Sequence, residues 1–173
     1  MAKVLIFITG SLDGFIARKN GDVDWLLGTD GEEEYQNFYN RIGITLMGFN
    51  TYQEILNFGV DYPYPEKKNF VFSRKNRTAD GHPVTFIKSD PAEFVQAQKE
   101  KTDEDIWLVG GGQLNTLLLN AGLVDELIYY LQPILLGEGI PLFALGALEQ
   151  KWALYQQETY TTGVVKLHYL KGI

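Results

Sequence analysis

The 173-residue chain contains no cysteine. That excludes thiol nucleophiles, cysteine-ligated zinc, iron–sulfur clusters and disulfide staples, and it makes a reducing cytoplasm the expected compartment. Histidine is nearly as scarce, with two residues, and nothing has metal-ligand spacing, so no metal is expected. No apolar run approaches the ~20 residues that span a bilayer, and a basic, apolar, small-residue leader is missing, so neither membrane insertion nor secretion is expected. Positive charge is also short: 15 Lys and Arg stand against 22 Asp and Glu, a net charge of −7. Such a balance disfavours a nucleic-acid partner and means that an anionic ligand needs a locally built site.

Linkers, repeats and low-complexity tracts are absent as well, so residues 1–173 read as one domain, large enough to bury roughly 70% of its unfolded surface. Within it, strand-like and helix-like segments alternate, the pattern of an α/β fold. Val4 to Thr9 reads as a buried strand, and a glycine-punctuated stretch from Gly10 to Gly28 leads to a helix at about Glu33 to Ile42. The acidic run Asp30 to Glu34 suits a helix start favoured by the dipole. "ITLMG" is a second strand, and Asn50 or Thr51 can cap the helix through Tyr52 to Leu56. "NFVFS", "VTFI" and "DIWLV" are further strands, and "SDPAEFVQAQKEK" is a helix opened by Ser89 or Asp90 with Pro91 in its first turn. Leu114, Leu117, Leu118 and Ala121 recur at helical spacing, with Gly122 placed to stop that helix. The tail, "VDELIYYLQPILL", "WALYQQETYT" and "VVKLHYLK", reads as longer strands that close one sheet edge with some antiparallel pairing.

Three strand-to-helix or strand-to-loop junctions can hold an anion. In "LVGGGQL" a strand meets Gly110, Gly111 and Gly112 and then a helix, where exposed N–H groups and the dipole point outward. A tight packing turn is the competing explanation, and neither a Walker lysine nor the G-x-G-x-x-G spacing is present. In "MGFNTY" Gly48 precedes Asn50 and Thr51, which simple capping would also explain. In "FSRKNR" Ser73, Arg74 and Lys75 emerge at a strand end, either as a solvated basic loop or as a phosphate receptor. All three lie at carboxyl ends of strands, where open α/β sheets collect ligands, and together they suit a dinucleotide.

The ordered set "SLDGFIA", "DW", "MGFNTY", "NFVFSR", "LVGGGQL" and "PILLGEGIPLF" resembles the dihydrofolate reductase superfamily. Within it, the chain is similar to stand-alone bacterial proteins related to the reductase domain of bifunctional riboflavin-biosynthesis deaminase/reductases. The resemblance covers nearly the whole chain. It implies a three-layer αβα fold on a mixed, mostly parallel sheet, an NADPH-dependent reductase and a homodimer. By position it implies Thr9 and Ile16 beside the nicotinamide, and Gly48, Asn50 and Thr51 on phosphates. It also implies Ser73, Arg74 and Lys75 at the adenosine end. Val109, Gly110, Gly111, Gly112, Gln113 and Leu114 would lie beside the pyrophosphate and nicotinamide, with a cis Gly-Gly peptide.

Two departures bear on specificity. Phe49 stands where the family commonly has a basic residue, so NADPH preference is expected to rest on Arg74 and Lys75, and Lys67 stands where folate reductases carry an arginine. On the substrate side, Asp13 reads as a turn former or proton relay, and Trp25 as a core anchor or pocket wall. Asp30 is a pterin-binding acid or a helix-start residue, with Thr29 and Glu32 forming a capping box. His82 and His168 read as structural, and the tyrosines at 35, 52, 129 and 130 stay unplaced. The expected substrate is a small heterocycle, foremost the riboflavin-pathway 5-amino-6-(5-phosphoribosylamino)uracil. A dihydrofolate or pterin reductase and a nucleotide-binding module without turnover are the alternatives.

Overall fold

A computed structural model of the chain describes every residue except Asp30, Asp80 and Ile173. The strands are β1 (Val4–Gly10), β2 (Phe15–Ala17), β3 (Ile42–Gly48), β4 (Lys68–Phe72), β5 (Val84–Ile87), β6 (Asp105–Gly110), β7 (Glu126–Leu131), β8 (Ile140–Pro141), β9 (Trp152–Thr159) and β10 (Val165–Lys171). The helices are α1 (Glu32–Arg41), α2 (Phe49–Asn57), α3 (Pro91–Lys99) and α4 (Gly112–Asn120). Eight strands form one sheet in the order β5-β4-β3-β6-β1-β7-β10-β9, and β2 pairs with β8 separately. From β5 to β7 all neighbours are parallel, whereas β10 runs antiparallel to both β7 and β9. The mixed, mostly parallel α/β sheet of the sequence reading is therefore present, with its antiparallel part in the tail.

Alternation along the strands divides the core into two layers. Leu5, Met47, Trp107, Ile128 and Tyr130 meet Phe38 of α1 and Tyr52 and Ile55 of α2. Val4, Ile6, Leu46 and Leu108 meet Val95 of α3 and Leu114, Leu118 and Leu119 of α4. These layers give the αβα sandwich. Among the described residues, no helix is long and apolar enough to cross a membrane.

Local readings fared unevenly. Asp90 caps α3, accepting from the N–H groups of Ala92 and Glu93, with Pro91 in the first turn, and Gly122 follows α4 with φ +68°. The buried face of α4 is rotated from the expected one: Leu117 is 38% exposed, while Asn115, Thr116 and Leu119 are buried. The cause is the segment after β8, which takes a hydrogen bond from Asn115 to the Leu142 carbonyl and offers the Gln150 amide to the Leu119 carbonyl. No Thr29–Glu32 capping box forms, because Gly31 occupies the N-cap of α1 without a side-chain cap. The tail's apolar residues Ile128, Tyr130 and Leu142 are buried within the chain itself. Exposed apolar side chains of the tail are Leu135, Leu145, Leu148, Leu154 and Tyr155.

At the amino end of β7, Glu126 is buried, accepts from Lys3 at 2.7 Å and pairs with Arg41 and His168. Burial pushes its carboxyl up, but the Lys3 hydrogen bond and the charges of Arg41, Lys3 and His168 outweigh that and hold it below the usual glutamate value. Burial also holds the His168 imidazole below its ordinary value, against the pull of Glu126. Both groups bind protons more readily in the unfolded chain, so stability rises with pH across each window. Unfolding free energy is expected to fall as the pH drops below the ordinary histidine value of 6.5, and again below the glutamate value of 4.5. Urea titrations across pH check this: His168→Gln should flatten the upper limb and Glu126→Gln the lower, and curves parallel to wild type would contradict it.

Candidate active site

The carboxyl ends of β3 and β6 finish level, with Met47 in register with Gly110, and each strand runs straight into a helix. The two helix starts are adjacent: a Cβ on Gly111 would lie 3.3 Å from the Thr51 hydroxyl, and one on Gly48 would lie 3.9 Å from the Gly110 carbonyl oxygen. Gly48 caps α2 and Gly111 caps α4, so neither has a side-chain cap, and neither first turn holds an acid. The expected cap at Asn50 or Thr51 is thus corrected. Because β3 passes into α2 without a loop, these residues fall inside the first turn. By contrast α1 opens with Glu32, Glu33 and Glu34, and α3 has Asp90. The two helices left bare are the two that meet at the strand ends, and their unpaired N–H groups and positive dipole ends make an anion cradle.

The three glycines divide the work. Gly110 has φ +122°, a conformation that favours glycine, and the Gly110–Gly111 peptide is cis. Gly112 is required by packing, since a Cβ there would meet the Pro141 carbonyl oxygen at 2.5 Å. Beside Gly110 lies the buried amide of Asn115, whose Oδ1 has no hydrogen-bond partner among the described residues. Gln113 is exposed, Val109 is half-buried, and the side chain of Leu114 belongs to the core, leaving its backbone as the part that faces the cradle.

At the end of β4, Ser73 donates to the Lys75 carbonyl and accepts from the Lys75 N–H, forming its own turn, while Arg74 and Lys75 are exposed. Further along, the Arg77 guanidinium lies over the Phe49 ring, 3.7 Å from its centroid. Next to this pair opens a groove of about 580 Å³ whose lining includes Phe49, Tyr52, Gln53, Asn76, Arg77 and His82.

On the other flank, β1 ends with Thr9 in register with Tyr130 of β7, and Tyr130 with Lys166 of β10. Here Glu34 of α1 collects three groups. Its Oε2 accepts from the hydroxyls of Tyr130 and Tyr160, each at 2.8 Å, and its Oε1 pairs with the Lys166 ammonium. Lys166 is buried, and burial pushes the Tyr130 phenol up, keeping it protonated. Tyr35, which is exposed, packs edge-on to Phe7 at 6.0 Å.

The segment between β1 and α1 is tied down in several places. Leu27 donates its N–H to Gln132 Oε1 and accepts from Gln132 Nε2. Trp25 is 7% exposed, and its indole N–H has no partner among the described residues. Ile16 sits half-buried in β2, which pairs with β8. Asp13 accepts from the Ser11 hydroxyl and from the N–H groups of Leu136 and Gly137. The Ser11 bond is the main cause holding its carboxyl below the usual range. Asp13 is therefore a clasp between two loops, the arrangement of a turn former. Tyr129, whose phenol burial pushes up to about 12, donates to the Ser11 carbonyl beside that clasp. Asp30, the other candidate acid, lies outside the described residues. Lys67 rests over the Tyr39 ring at 4.1 Å. Among the described residues no cluster of three potential metal ligands occurs.

The description of the family model that matches residues 2–166 is RibD C-terminal domain. The chain belongs to this family. Two Bacillus subtilis relatives, the uncharacterized proteins YwjB and YyaP, are 32% and 34% identical. They cover 98% and 96% of this chain, and the match takes in 98% and 94% of theirs. A Shewanella sp. PV-4 structure, provisionally assigned to riboflavin biosynthesis, superposes over the full length of both chains with TM-score 0.90 and 28% identity. Acinetobacter baumannii RibD matches 100% of this chain and 59% of its own at TM-score 0.76 and 19% identity, which shows the shared dihydrofolate reductase-like fold.

Glu34, Lys166, Tyr160, Arg77 and Asn115 escaped the sequence reading. Glu34 was hidden in an acidic run that looked solvated. Lys166 did leave a signal, a single lysine inside the apolar strand "VVKLHYL".

Proposed function

We propose that the chain is an NADPH-dependent reductase that delivers hydride to a small heterocycle, foremost 5-amino-6-(5-phosphoribosylamino)uracil or a related ribosylaminopyrimidine. The observation that carries this reading is the pair of bare, acid-free helix starts at Gly48 and Gly111, set side by side at the strand ends. Membership of the RibD C-terminal domain family supports it. So does the likeness, in fold alone, to a Thermotoga maritima protein described as a deaminase and 5-amino-6-(5-phosphoribosylamino)uracil reductase, with TM-score 0.74 and 15% identity. The donor set fits such a dinucleotide: N–H groups for a pyrophosphate, and the unpartnered Asn115 Oδ1 as a buried acceptor for a ligand N–H or O–H.

Bound NADPH would supply the hydride that reduces a carbonyl or imine carbon of the substrate. In this reading Gly48, Asn50, Thr51, Gly111, Gly112 and Gln113 bind phosphates, and Thr9, Ile16 and Val109 flank the ring. Trp25, tethered through Leu27 and Gln132, excludes water from the reacting pair, so that most of the catalysis is positioning. Each turnover also needs one proton on the substrate oxygen or nitrogen. The Lys166–Glu34–Tyr130 network, at the same end of β1 and β7, is the group of residues able to hold that proton and pass it on.

Titration of the tryptophan emission of Trp25 and Trp107 with NADPH, followed by assays of its oxidation with ribosylaminopyrimidines and with dihydropterins, tests the reading. Quenching together with turnover of the pyrimidine is the expected result. Quenching with no turnover on either panel would favour a nucleotide-binding module, turnover of the pterin alone would favour a pterin reductase, and absence of any nucleotide binding would remove the proposal.

A further inference from the structure

We propose that Arg77, held over the Phe49 ring at the head of α2, recognises a phosphomonoester on the ribose of the bound dinucleotide and so selects NADPH over NADH. This rests on the nucleotide reading above and assigns its specificity to a residue outside the Ser73–Lys75 turn. Phe49 is the first residue of α2, directly after the bare cap Gly48. A guanidinium carbon 3.7 Å above its ring therefore brings a fixed cation to that helix start. Stacking engages the face of the guanidinium, and among the described residues no hydrogen bond occupies the N–H groups at its edge, the geometry that receives two phosphate oxygens at once.

Charge accounting points the same way. In a protein of net charge −7, the cations Lys3, Arg18, Lys19, Arg41, Lys99 and Lys166 are all matched with carboxylates. Among the described residues no carboxylate forms an ion pair with Arg77, and the first turn of α2 contains no acid. The adjoining groove of about 580 Å³, walled by Phe49, Tyr52, His82 and Phe86, offers flat apolar surface next to that charge. A phosphorylated nucleoside presents the same two features together, a ring and a dianion. Arg74, Lys75 and Arg77 are all exposed and, among the described residues, all without an ion pair, but of the three it is Arg77 that rests on a ring, so Arg74 and Lys75 would each lose more side-chain freedom on engaging a phosphate.

Dissociation constants for NADPH and NADH, measured by tryptophan quenching on the full chain, test the assignment. Wild type is expected to prefer NADPH. Arg77→Ala should weaken NADPH binding by about tenfold or more, the scale of a charge-assisted hydrogen-bonded pair, with NADH affected by less than about twofold. Arg77→Lys, which keeps the charge but not the fork, should fall between, and Arg74→Ala should change the ratio by less than about threefold. An unchanged ratio in Arg77→Ala, or a ratio abolished by Arg74→Ala instead, would overturn the inference while leaving the nucleotide reading intact. If wild type binds neither nucleotide, both fall. Unfolding curves for each variant separate a local loss of charge from a loss of fold, and a general destabilisation of Arg77→Ala with equal weakening of NADPH and NADH would also overturn the role.

Discussion

Gly112→Ala is expected to lower the unfolding free energy by about 3 kcal/mol, the upper end of the usual cost of overpacking. A Cβ at this position would lie 2.5 Å from the Pro141 carbonyl oxygen, 3.4 Å from that of Leu142 and 3.5 Å from the Ala144 nitrogen. All three are backbone atoms, so no rotamer change can relieve the contact. Nor can the strap move freely. Ala144 donates to the Gly112 carbonyl and to the Thr116 hydroxyl, and the Leu142 carbonyl accepts from Asn115. Leu142 in turn donates to the Gly14 carbonyl, so displacement at Gly112 would reach the β2–β8 ribbon, which carries Ile16. Gly28→Ala is the matched control, because a Cβ there meets nothing within 4 Å and its backbone needs no left-handed angle. That variant should stay within about 0.5 kcal/mol of wild type. Urea unfolding decides the matter, and a Gly112→Ala protein as stable as Gly28→Ala would show that the strap yields.

The same glycine illustrates what a sequence discloses and what it conceals. That bare backbone is needed after "DIWLV" could be read from three glycines between a strand and a helix, and so could the Asp90–Pro91 helix start, since both are settled within a few residues. The reason for Gly112 could not, because Pro141 reaches it only through the fold. Asp13 shows the same limit: beside Gly14 it reads as a turn former more readily than as a relay, with no partner legible. Its actual partners at Leu136 and Gly137 lie more than a hundred residues away in the chain. Long-range polar partnerships of this kind have no periodicity, whereas burial does, which is why the strands were legible and the Glu34 network was not. On α4 even the periodic reading slipped by part of a turn, since apolar spacing alone cannot register the strap that covers Asn115 and Thr116.

Capping gives the clearest link between the fold and the proposed chemistry. An acid at a helix start stabilises the folded chain, typically by 0.3–1 kcal/mol, and the chain uses that device at α1 and α3. At α2 and α4 it forgoes the gain at two places where an acid would repel an incoming phosphate. The bare starts and the Arg77 side chain thus supply local positive potential in a protein whose overall charge opposes anions.

Glu34→Ala should be the other costly substitution, lowering stability by about 3 kcal/mol at neutral pH, because removing one member of a buried ion pair strands the other. The Lys166 side chain is 7% exposed, and among the described residues Glu34 is the carboxylate it pairs with. The hydroxyls of Tyr130 and Tyr160 would lose their acceptor at the same time. Lys166→Met is expected to cost less, about 1 kcal/mol, since Glu34 is 28% exposed and keeps two hydroxyl donors. Combining the two should restore part of the loss, so that the double variant is more stable than Glu34→Ala alone by at least about 1 kcal/mol. Additive losses in a urea-unfolding cycle would mean that the pair is not coupled in solution. Beyond stability, the cycle bears on the reaction: Glu34 anchors the first turn of α1 to β7 and β10 beside Thr9, the wall against which a substrate would be held. Lys166→Met, the milder change, is therefore the variant in which a lost protonation step would be seen as a lower kcat and an altered pH profile in a chain that still folds.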